Sequence, residues 1–215
     1  MGVRVQGRKG ARRLLAAGLL TLLFCTAAVP ACSNRYEDAS AAYERGDYAT
    51  AFRLMKPLAE QGYAKAQYNL GVMYHKGEGV PADHAEAVKW FRKAAEQGYA
   101  KAQYNLGVMY RIGDGVPQDN TETMKWYRKA AEQGIADAQY FLGVAFDSGQ
   151  GVPQDSVQAY MWYSLAASRL SEAEAEKREM VLMSRGVIAS RMTPEQLEEA
   201  QRLAQEWKPT KEGNR

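Results

Sequence analysis

The sequence predicts an all-α protein, a right-handed α-solenoid of helix-turn-helix repeats. When the chain is aligned with itself at an offset of 36 residues, residues 63–98 and 99–134 are identical at 27 of 36 positions. Residues 135–170 agree with the second copy at 17 of 36 positions. A period of this length is typical of stacked helical pairs. The composition, with 46% hydrophobic and 25% charged residues, is that of an ordinary globular protein.

The first half of each repeat is predicted to be an amphipathic helix. In the first copy, Ala66, Leu70 and Tyr74 recur every four residues and form one apolar stripe. The segment Gly77-Glu78-Gly79 is expected to end this helix, because glycine adopts positive φ angles at little cost.

A second helix is predicted after the glycine turn. Asp83, with Glu86 three residues later, indicates an N-terminal capping box. The same spacing recurs at Asp119 with Glu122 and at Asp155 with Gln158. Each copy of this helix contains a tryptophan, which we expect to fill the space between adjacent helical pairs: Trp90, Trp126 and Trp162.

A glycine lies inside the first helix of every copy, at Gly71, Gly107 and Gly143. Glycine in a helix interior costs about 0.5 to 1 kcal/mol relative to alanine. Its recurrence at one register therefore predicts that a neighbouring helix approaches closely at this point.

The segments that flank the three repeats are also predicted to be helical. Residues 37–62 resemble a shorter opening unit of the same kind. Residues 171–207 are predicted to form C-terminal capping helices, because residues 171–190 are heavily charged and Thr193-Pro194-Glu195-Gln196 is a helix start. Residues 208–215 are expected to form a flexible tail.

The residues common to the repeats resemble a known family. The pattern A-x-x-x-L-G-x-x-Y-x-x-G-x-G-V-x-x-D, followed by W-[FY]-x-K-A-A-E-Q-G, is similar to the Sel1-like repeat, a relative of the tetratricopeptide repeat with a longer loop. The resemblance covers residues 63–170 and departs from the pattern at Ser168-Arg169-Leu170. It implies a scaffold or regulator in membrane-associated complexes, including those of the bacterial envelope.

The N-terminal segment predicts export. Residues 1–13 are basic, residues 14–28 are uncharged and apolar, and small residues follow. This order is typical of a signal peptide, here residues 1–31, and the apolar run is short for a transmembrane helix. Val29-Pro30-Ala31-Cys32 also resembles a bacterial lipobox, which implies a lipid on Cys32 and, from Ser33, an outer-membrane location. Ordinary cleavage after Ala31 remains the alternative, and residues 32–36 are expected to be a short linker.

Charge and cysteine content exclude several functions. Five basic residues and no acidic ones precede Cys32, so the rest of the chain carries 23 basic and 25 acidic residues. It therefore lacks the basic excess that nucleic-acid binding requires. Two cysteines in the whole chain exclude a disulfide framework and a zinc site of clustered thiolates.

No catalytic constellation is found in the sequence. Gly77-Glu78-Gly79 matches part of a dinucleotide-binding fingerprint, but it follows a predicted helix and not a strand. The two histidines, His75 and His84, have no third metal ligand at helical spacing. In the other copies their positions hold Arg111, Asp147, Asn120 and Ser156. We therefore expect no enzymatic activity, no cofactor and no metal site.

By resemblance to tetratricopeptide arrays, the first helix of each repeat lines a concave face that binds a partner protein or peptide. Residues three and four apart share that face: Lys65, Tyr68, Val72 and His75, then Lys101, Tyr104, Val108 and Arg111, then Asp137, Tyr140, Val144 and Asp147. The tyrosines offer rigid contact area, and charges that differ between repeats would select the partner. The alternative is that the tyrosines pack between repeats and the charges are only solvated.

Taken together, the sequence predicts an exported, monomeric, non-enzymatic adaptor of the periplasm that contacts a membrane only through a lipid on Cys32. One alternative is a periplasmic regulator that restrains a membrane sensor. Another is a hydrolase of cell-wall or β-lactam substrates, suggested by cysteine-rich relatives that pair cysteines within repeats. This chain has no cysteine in its repeats, which disfavours that alternative.

Overall fold

The computed structural model describes residue 2 and residues 28–210, and within that part of the chain every regular element is helical. The α-helices are α1 (Ala28–Glu44), α2 (Tyr48–Glu60), α3 (Ala64–Lys76), α4 (His84–Glu96), α5 (Ala100–Ile112), α6 (Asn120–Glu132), α7 (Ala136–Ser148), α8 (Ser156–Arg169), α9 (Ala175–Ala189) and α10 (Pro194–Glu206). A short 3₁₀ helix, Glu172–Glu174, precedes α9. The predicted all-α fold class is confirmed.

The helices pack as consecutive pairs. Within each pair the first helix contacts the second, and the second contacts the first helix of the next pair, from α1 through α8. Helices α9 and α10 both pack against α8 and close the C-terminal end of the stack. Among the described residues, no helix is both long enough and apolar enough to cross a membrane.

The loop inside each repeat is held by glycine and aspartate. Gly77 ends α3 with a φ of 74°, and its N–H donates to the Met73 carbonyl. The Asp83 carboxylate accepts a hydrogen bond of 2.9 Å from the Glu86 N–H, as the sequence predicts. The second half of the predicted capping box is wrong, because the Asp83 N–H donates instead to the Tyr74 carbonyl of α3 at 2.9 Å. This bond closes the loop onto the preceding helix.

The same loop closure recurs in the next two repeats. The Asp119 N–H donates to the Tyr110 carbonyl at 3.1 Å, and the Asp155 N–H donates to the Phe146 carbonyl at 2.9 Å. Glu122 is thereby free to bind elsewhere, and its carboxylate accepts hydrogen bonds from Lys125 and from the Trp126 indole, each at 2.8 Å.

The glycines inside the first helices lie at close contacts, as predicted. At each glycine, an aromatic side chain of the second helix packs against the first helix. A Cβ atom placed on Gly107 would lie 2.6 Å from the Tyr127 ring. The equivalent distance is 2.7 Å from Gly71 to Phe91 and 2.6 Å from Gly143 to Tyr163. The absent side chain therefore lets the ring of the second helix lie directly on the first.

The three tryptophans are buried between helical pairs, as predicted, with at most 8% exposure. Trp126, for example, belongs to a core cluster with Phe91 of the preceding α4 and Leu106 of α5. Trp90 is in the corresponding cluster with Leu58 and Leu70. Each indole thus joins its own repeat to the one before it.

The ends of the chain differ from the sequence predictions in two places. Residues 32–36, predicted as a linker, lie inside α1, which begins at Ala28 and has Pro30 in its first turn, where a missing N–H is tolerated. Thr210, predicted to be part of a flexible tail, donates from its N–H to the Glu132 carbonyl at 2.8 Å. Residues 211–215, most of the predicted signal peptide and the side chain of Cys32 lie outside the described part of the structure.

Candidate functional site

Two clefts lie along the first helices of the opening unit, of repeat 1 (residues 63–98) and of repeat 2 (residues 99–134). One, of about 310 Å³, lies between α1 and α3 and is lined by Tyr36, Ser40, Tyr43, Glu44, Met55, Tyr68, Asn69 and Val72. The next, of about 280 Å³, lies between α3 and α5 and is lined by Tyr68, Val72, His75, Lys76, Phe91, Asn105, Val108 and Met109. Because Tyr68 and Val72 line both, the two clefts form one surface, which we call the groove.

Four of the predicted concave-face residues line the groove: Tyr68, Val72, His75 and Val108. Tyr68 is half-buried, its ring lying 5.1 Å from that of Tyr99 and 5.9 Å from that of Phe91. Burial is the main cause that raises its pKa above the ordinary value. The ring therefore contributes to packing between repeats and forms part of the groove floor as well.

Two asparagines that the sequence analysis did not single out also line the groove. The Asn69 amide donates to the Tyr36 hydroxyl at 2.8 Å. Asn105 lies beside the Tyr68 hydroxyl, and its hydrogen bonding opposes the rise in the Tyr68 pKa that burial causes. Each asparagine thus fixes the tyrosine of the preceding unit. The recurrence of Gln-Tyr-Asn-Leu-Gly in both repeats was the signal that could have found them.

The predicted basic residues take three different positions. The Lys65 ammonium lies 5.0 Å from the centre of the Tyr36 ring. Lys101 is exposed at the start of α5. Arg111 donates from its Nε to the Tyr127 hydroxyl of α6 at 3.1 Å, and its guanidinium lies 4.9 Å from the ring centre of Phe141 in repeat 3 (residues 135–170).

Tyr104, the equivalent of Tyr68 in repeat 2, is stacked on the Tyr127 ring with 5.8 Å between centres. Burial raises its pKa well above the ordinary value. Next to this stack, Arg111, Phe141 and Val144 line a smaller cleft of about 70 Å³. Asn120, Thr123 and Met124 of α6 also line this cleft, which shares no lining residue with the groove.

In repeat 3 the corresponding positions are engaged by the C-terminal segment. Asp137 forms an ion pair with Lys177 of α9, and Asp147 lies 3.7 Å from Arg191. Tyr140 and Val144 pack against the cluster that contains Val181 and Ile188 of α9. These contacts leave the opening unit and repeats 1 and 2 as the part of the predicted concave face that α9 does not engage.

A row of buried glutamines, which sequence reasoning missed, holds the repeats in register. Gln67, Gln103 and Gln139 are at most 4% exposed. Each side-chain amide donates to a carbonyl of the preceding second helix, at 3.0 to 3.1 Å. Because buried polar groups need partners, these bonds fix the position of each first helix and hence the shape of the groove.

The structure places both histidines beside the same carboxylate, which the sequence analysis did not anticipate. His75 Nε2 lies 3.2 Å from Asp114 Oδ2, and His84 Nδ1 lies 2.5 Å from Asp114 Oδ1. A search at helical spacing missed Asp114 because it belongs to the loop of the next repeat. The structure therefore supplies a third potential ligand that does not lie at helical spacing from either histidine.

The fold and the groove define a class of protein, the α-solenoids built from stacked helical hairpins. The chain belongs to the Sel1 repeat family, whose repeat matches residues 36–63, 64–99, 100–135 and 136–169. The resemblance found in the sequence is thus confirmed, and it extends to the opening unit. Proteins built from Sel1 repeats typically act as non-catalytic scaffolds for protein–protein interaction.

Solved structures of similar proteins share this fold. One is c5321, described as a protective antigen present in uropathogenic Escherichia coli strains displaying an SLR fold. It is 33% identical, with a TM-score of 0.70, and the match covers 85% of this chain and 38% of that one. A Sel1 repeat protein from Oxalobacter formigenes is 36% identical, with a TM-score of 0.60, over 68% of this chain and 62% of that one.

Among curated proteins, DAP3-binding cell death enhancer 1 of Rattus norvegicus is 47% identical over 38 residues. The same protein of Mus musculus matches equally well. The matched segment is 18% of this chain and 8% of each of those proteins. This similarity therefore concerns a single repeat.

Proposed function

We propose that this protein is an exported, non-enzymatic scaffold that binds a peptide segment of a partner protein in the groove. The observation that carries the proposal is the continuity of the two clefts across α1, α3 and α5, which share Tyr68 and Val72. A surface that runs along three successive first helices suits an extended or helical peptide better than a small molecule.

The groove offers both kinds of contact that a peptide needs. Tyr68, Val72 and Val108 provide a floor for apolar side chains. Asn69 and Asn105 lie beside them, and an amide side chain with two N–H donors and one carbonyl acceptor retains capacity for a peptide backbone after binding one tyrosine. Apolar anchors surrounded by a few directed hydrogen bonds are typical of specific recognition.

The chemistry of the partner follows from the charges at the groove edge. Lys65 and Lys101 are exposed at the starts of α3 and α5. The acidic pair at the other end, Asp137 and Asp147, is neutralised within the chain by Lys177 and Arg191. We therefore expect the bound segment to present acidic residues toward α3 and α5.

Site-specific photo-crosslinking in the producing cell tests this assignment. A photoreactive residue at position 72 should capture a discrete partner protein, whereas one at position 183 should not. Met183 is a suitable control because its side chain is also apolar but lies on α9 and is 61% exposed.

A substitution series completes the experiment. Val72→Glu should abolish capture by a crosslinker at position 108, because an acidic group in an apolar floor loses its hydration without gaining a partner. Met183→Glu, the same chemical change on α9, should leave capture intact. Equal capture by both variants, with native circular dichroism, would place the binding surface elsewhere.

The proposed export depends on residues 1–31, in which a basic segment, an apolar segment and small residues follow one another. The proposed membrane anchoring depends on Cys32. Mass spectrometry of the mature N-terminus distinguishes lipidation of Cys32 from ordinary cleavage after Ala31. The Cys32→Ala variant should lose its membrane association if the lipid is present. Retention of residues 1–31 in a cytosolic protein would refute the export proposal.

A further inference from the structure

Each repeat places its loop against the second helix of the preceding unit, so the stack contains a series of equivalent junctions. Gly115 has a φ of 67°, and a Cβ atom there would collide with the His84 carbonyl oxygen at the start of α4. Gly79 meets the Tyr48 carbonyl at the start of α2 in the same way. These contacts fix the residue before each glycine, Asp114 or Glu78, beside the second helix of the unit before it.

At the junction of repeats 1 and 2, this arrangement brings together His75, His84 and Asp114. The His75 and His84 ring centres are 5.0 Å apart. One ligand atom from each of the three residues can be chosen so that all lie within 4.8 Å of one another. Each Asp114 oxygen faces a different imidazole, at 3.2 Å and 2.5 Å.

Among the described residues, the Asp114 carboxylate is shared by the two imidazoles and has no ion pair with a lysine or an arginine. Lys76 pairs with Glu78, and Arg111 binds Tyr127. His84 Nδ1 is shielded from solvent, and despite its short distance to Asp114 it lacks a hydrogen bond of acceptable geometry. An ion bound by both groups would give this buried nitrogen the partner that it lacks.

We propose that His75, His84 and Asp114 bind a Zn²⁺ ion. Zinc in proteins takes imidazole nitrogen and carboxylate oxygen at about 2.0 to 2.2 Å, so tetrahedral ligands lie about 3.3 Å apart. The two N···O separations, 3.2 Å and 2.5 Å, lie at or below this value, and all three ligand atoms lie within 4.8 Å of one another, so small side-chain rotations complete the set. Two imidazoles and one carboxylate favour zinc over Mg²⁺ or Ca²⁺, which prefer oxygen ligands.

The side chains leave room for solvent to complete the coordination. His75 is 42% exposed and His84 43%, whereas Asp114 is 25% exposed. Three protein ligands and one open position follow from this arrangement. The ion would join the end of α3, the start of α4 and the loop of repeat 2, and thereby fix the angle between two repeats.

The other junctions act as internal references, because they lack this set of ligands. The next junction also differs in geometry, since a Cβ atom on Gly151 would meet Met124 Cγ at 3.2 Å and not a carbonyl at the start of α6. The next junction carries Arg111, Asn120 and Gln150 at the corresponding positions. The preceding one has Tyr48 and Glu78, and the Glu78 carboxylate accepts a hydrogen bond from Tyr43 at 2.5 Å. Zinc binding is therefore expected at one junction only.

Isothermal titration of the untagged, metal-free protein with ZnCl₂ tests the proposal. We expect one Zn²⁺ per chain and an increase in melting temperature of about 5 °C or more at a zinc concentration ~100 times the dissociation constant. Mg²⁺ at the same concentration should produce neither effect. No stoichiometric binding, or equal binding of Mg²⁺, would overturn the assignment.

Substitutions that copy the next junction supply the matched variants. His84→Asn and Asp114→Gln should each weaken zinc binding by at least about tenfold. Glu78→Gln, the equivalent change one junction earlier, should leave it unaltered. Unchanged affinity in His84→Asn or Asp114→Gln would refute the site, because the zinc would then be bound by other ligands of the chain, such as its cysteines.

A spectroscopic readout avoids dependence on variants that fail to fold. The chain contains two histidines, so their ring ¹⁵N signals can be assigned directly by NMR. Both should shift on addition of one equivalent of Zn²⁺. Zinc binding that leaves either ring signal in place would place the ion elsewhere. This test is independent of the proposed partner binding, because it uses the protein alone.

Discussion

Replacing Gly107 by alanine adds one methyl group at the closest contact inside repeat 2. The new Cβ would lie 2.6 Å from Cδ1 and 2.7 Å from Cε1 of Tyr127. The ring has little freedom to move away, because it is 1% exposed, stacks on Phe141 with 5.1 Å between centres and accepts a hydrogen bond from Arg111. Strain should therefore outweigh the better helix propensity of alanine.

The two opposing effects set the expected magnitude. Alanine in a helix interior is favoured over glycine by about 0.5 to 1 kcal/mol. Overpacking a filled core typically costs about 1 to 3 kcal/mol. We expect Gly107→Ala to lower the free energy of unfolding by about 1 to 2 kcal/mol, measured by urea denaturation with far-ultraviolet circular dichroism.

Gly186 provides a matched control in the same chain. It lies inside α9, and a Cβ atom there would meet no other atom within 4 Å. Gly186→Ala should therefore raise the free energy of unfolding by about 0.5 to 1 kcal/mol. If Gly107→Ala stabilises the protein as Gly186→Ala does, the close-packing explanation is wrong. A smaller cost of Gly107→Ala in a Tyr127→Leu background would show that the ring is the group being displaced.

Other changes test the elements that join the repeats. Trp126→Ala should destabilise the protein by about 3 to 5 kcal/mol in the same urea assay, because the indole is 3% exposed between two helical pairs; a loss below 1 kcal/mol would mean that the ring is not a structural link. Asp119→Ala should cost about 1 kcal/mol through loss of the helix cap, and Asp119→Ser should retain most of that stability. The hydrogen bond from Lys125 is the main cause that lowers the pKa of Glu122 in the folded protein. The ionised Glu122 carboxylate therefore stabilises the fold at a pH above its pKa in the unfolded chain, and this stabilisation is lost as the pH falls through its pKa in the folded protein. Melting curves of Glu122→Gln should accordingly depend less on pH below about pH 5 than those of the unaltered chain, and identical pH dependence would contradict this account.

Sequence reasoning was most successful for features that depend on neighbours along the chain. The positive φ of Gly77 and the caps at Asp83, Asp119 and Asp155 follow from local backbone chemistry. The final helix begins at Pro194 with a full capping box at Thr193, as predicted. The partner of the Asp83 N–H was missed because the Tyr74 carbonyl comes within reach only after the loop closes.

The lining of the groove could be predicted only in part. The spacing of Tyr68, Val72, His75 and Val108 placed them correctly along one lining, since they lie on first helices of equal register. The spacing could not show that α9 would engage Asp137 and Asp147 through Lys177 and Arg191. Those ion pairs depend on how the C-terminal helix lies against repeat 3, which no local pattern specifies.

The sequence alone determined the repeat length, the order of helices in the repeats and the three tryptophans that are buried between helical pairs, because helix periodicity and capping act over a few residues. The tertiary structure decided which residues of different repeats meet. His84 and Asp114 are 30 positions apart, and they face each other because Gly115 allows the loop of repeat 2 to lie against the start of α4 in the preceding repeat. Contacts of this kind depend on the angle between stacked helical pairs, which is fixed by side-chain packing across the whole interface.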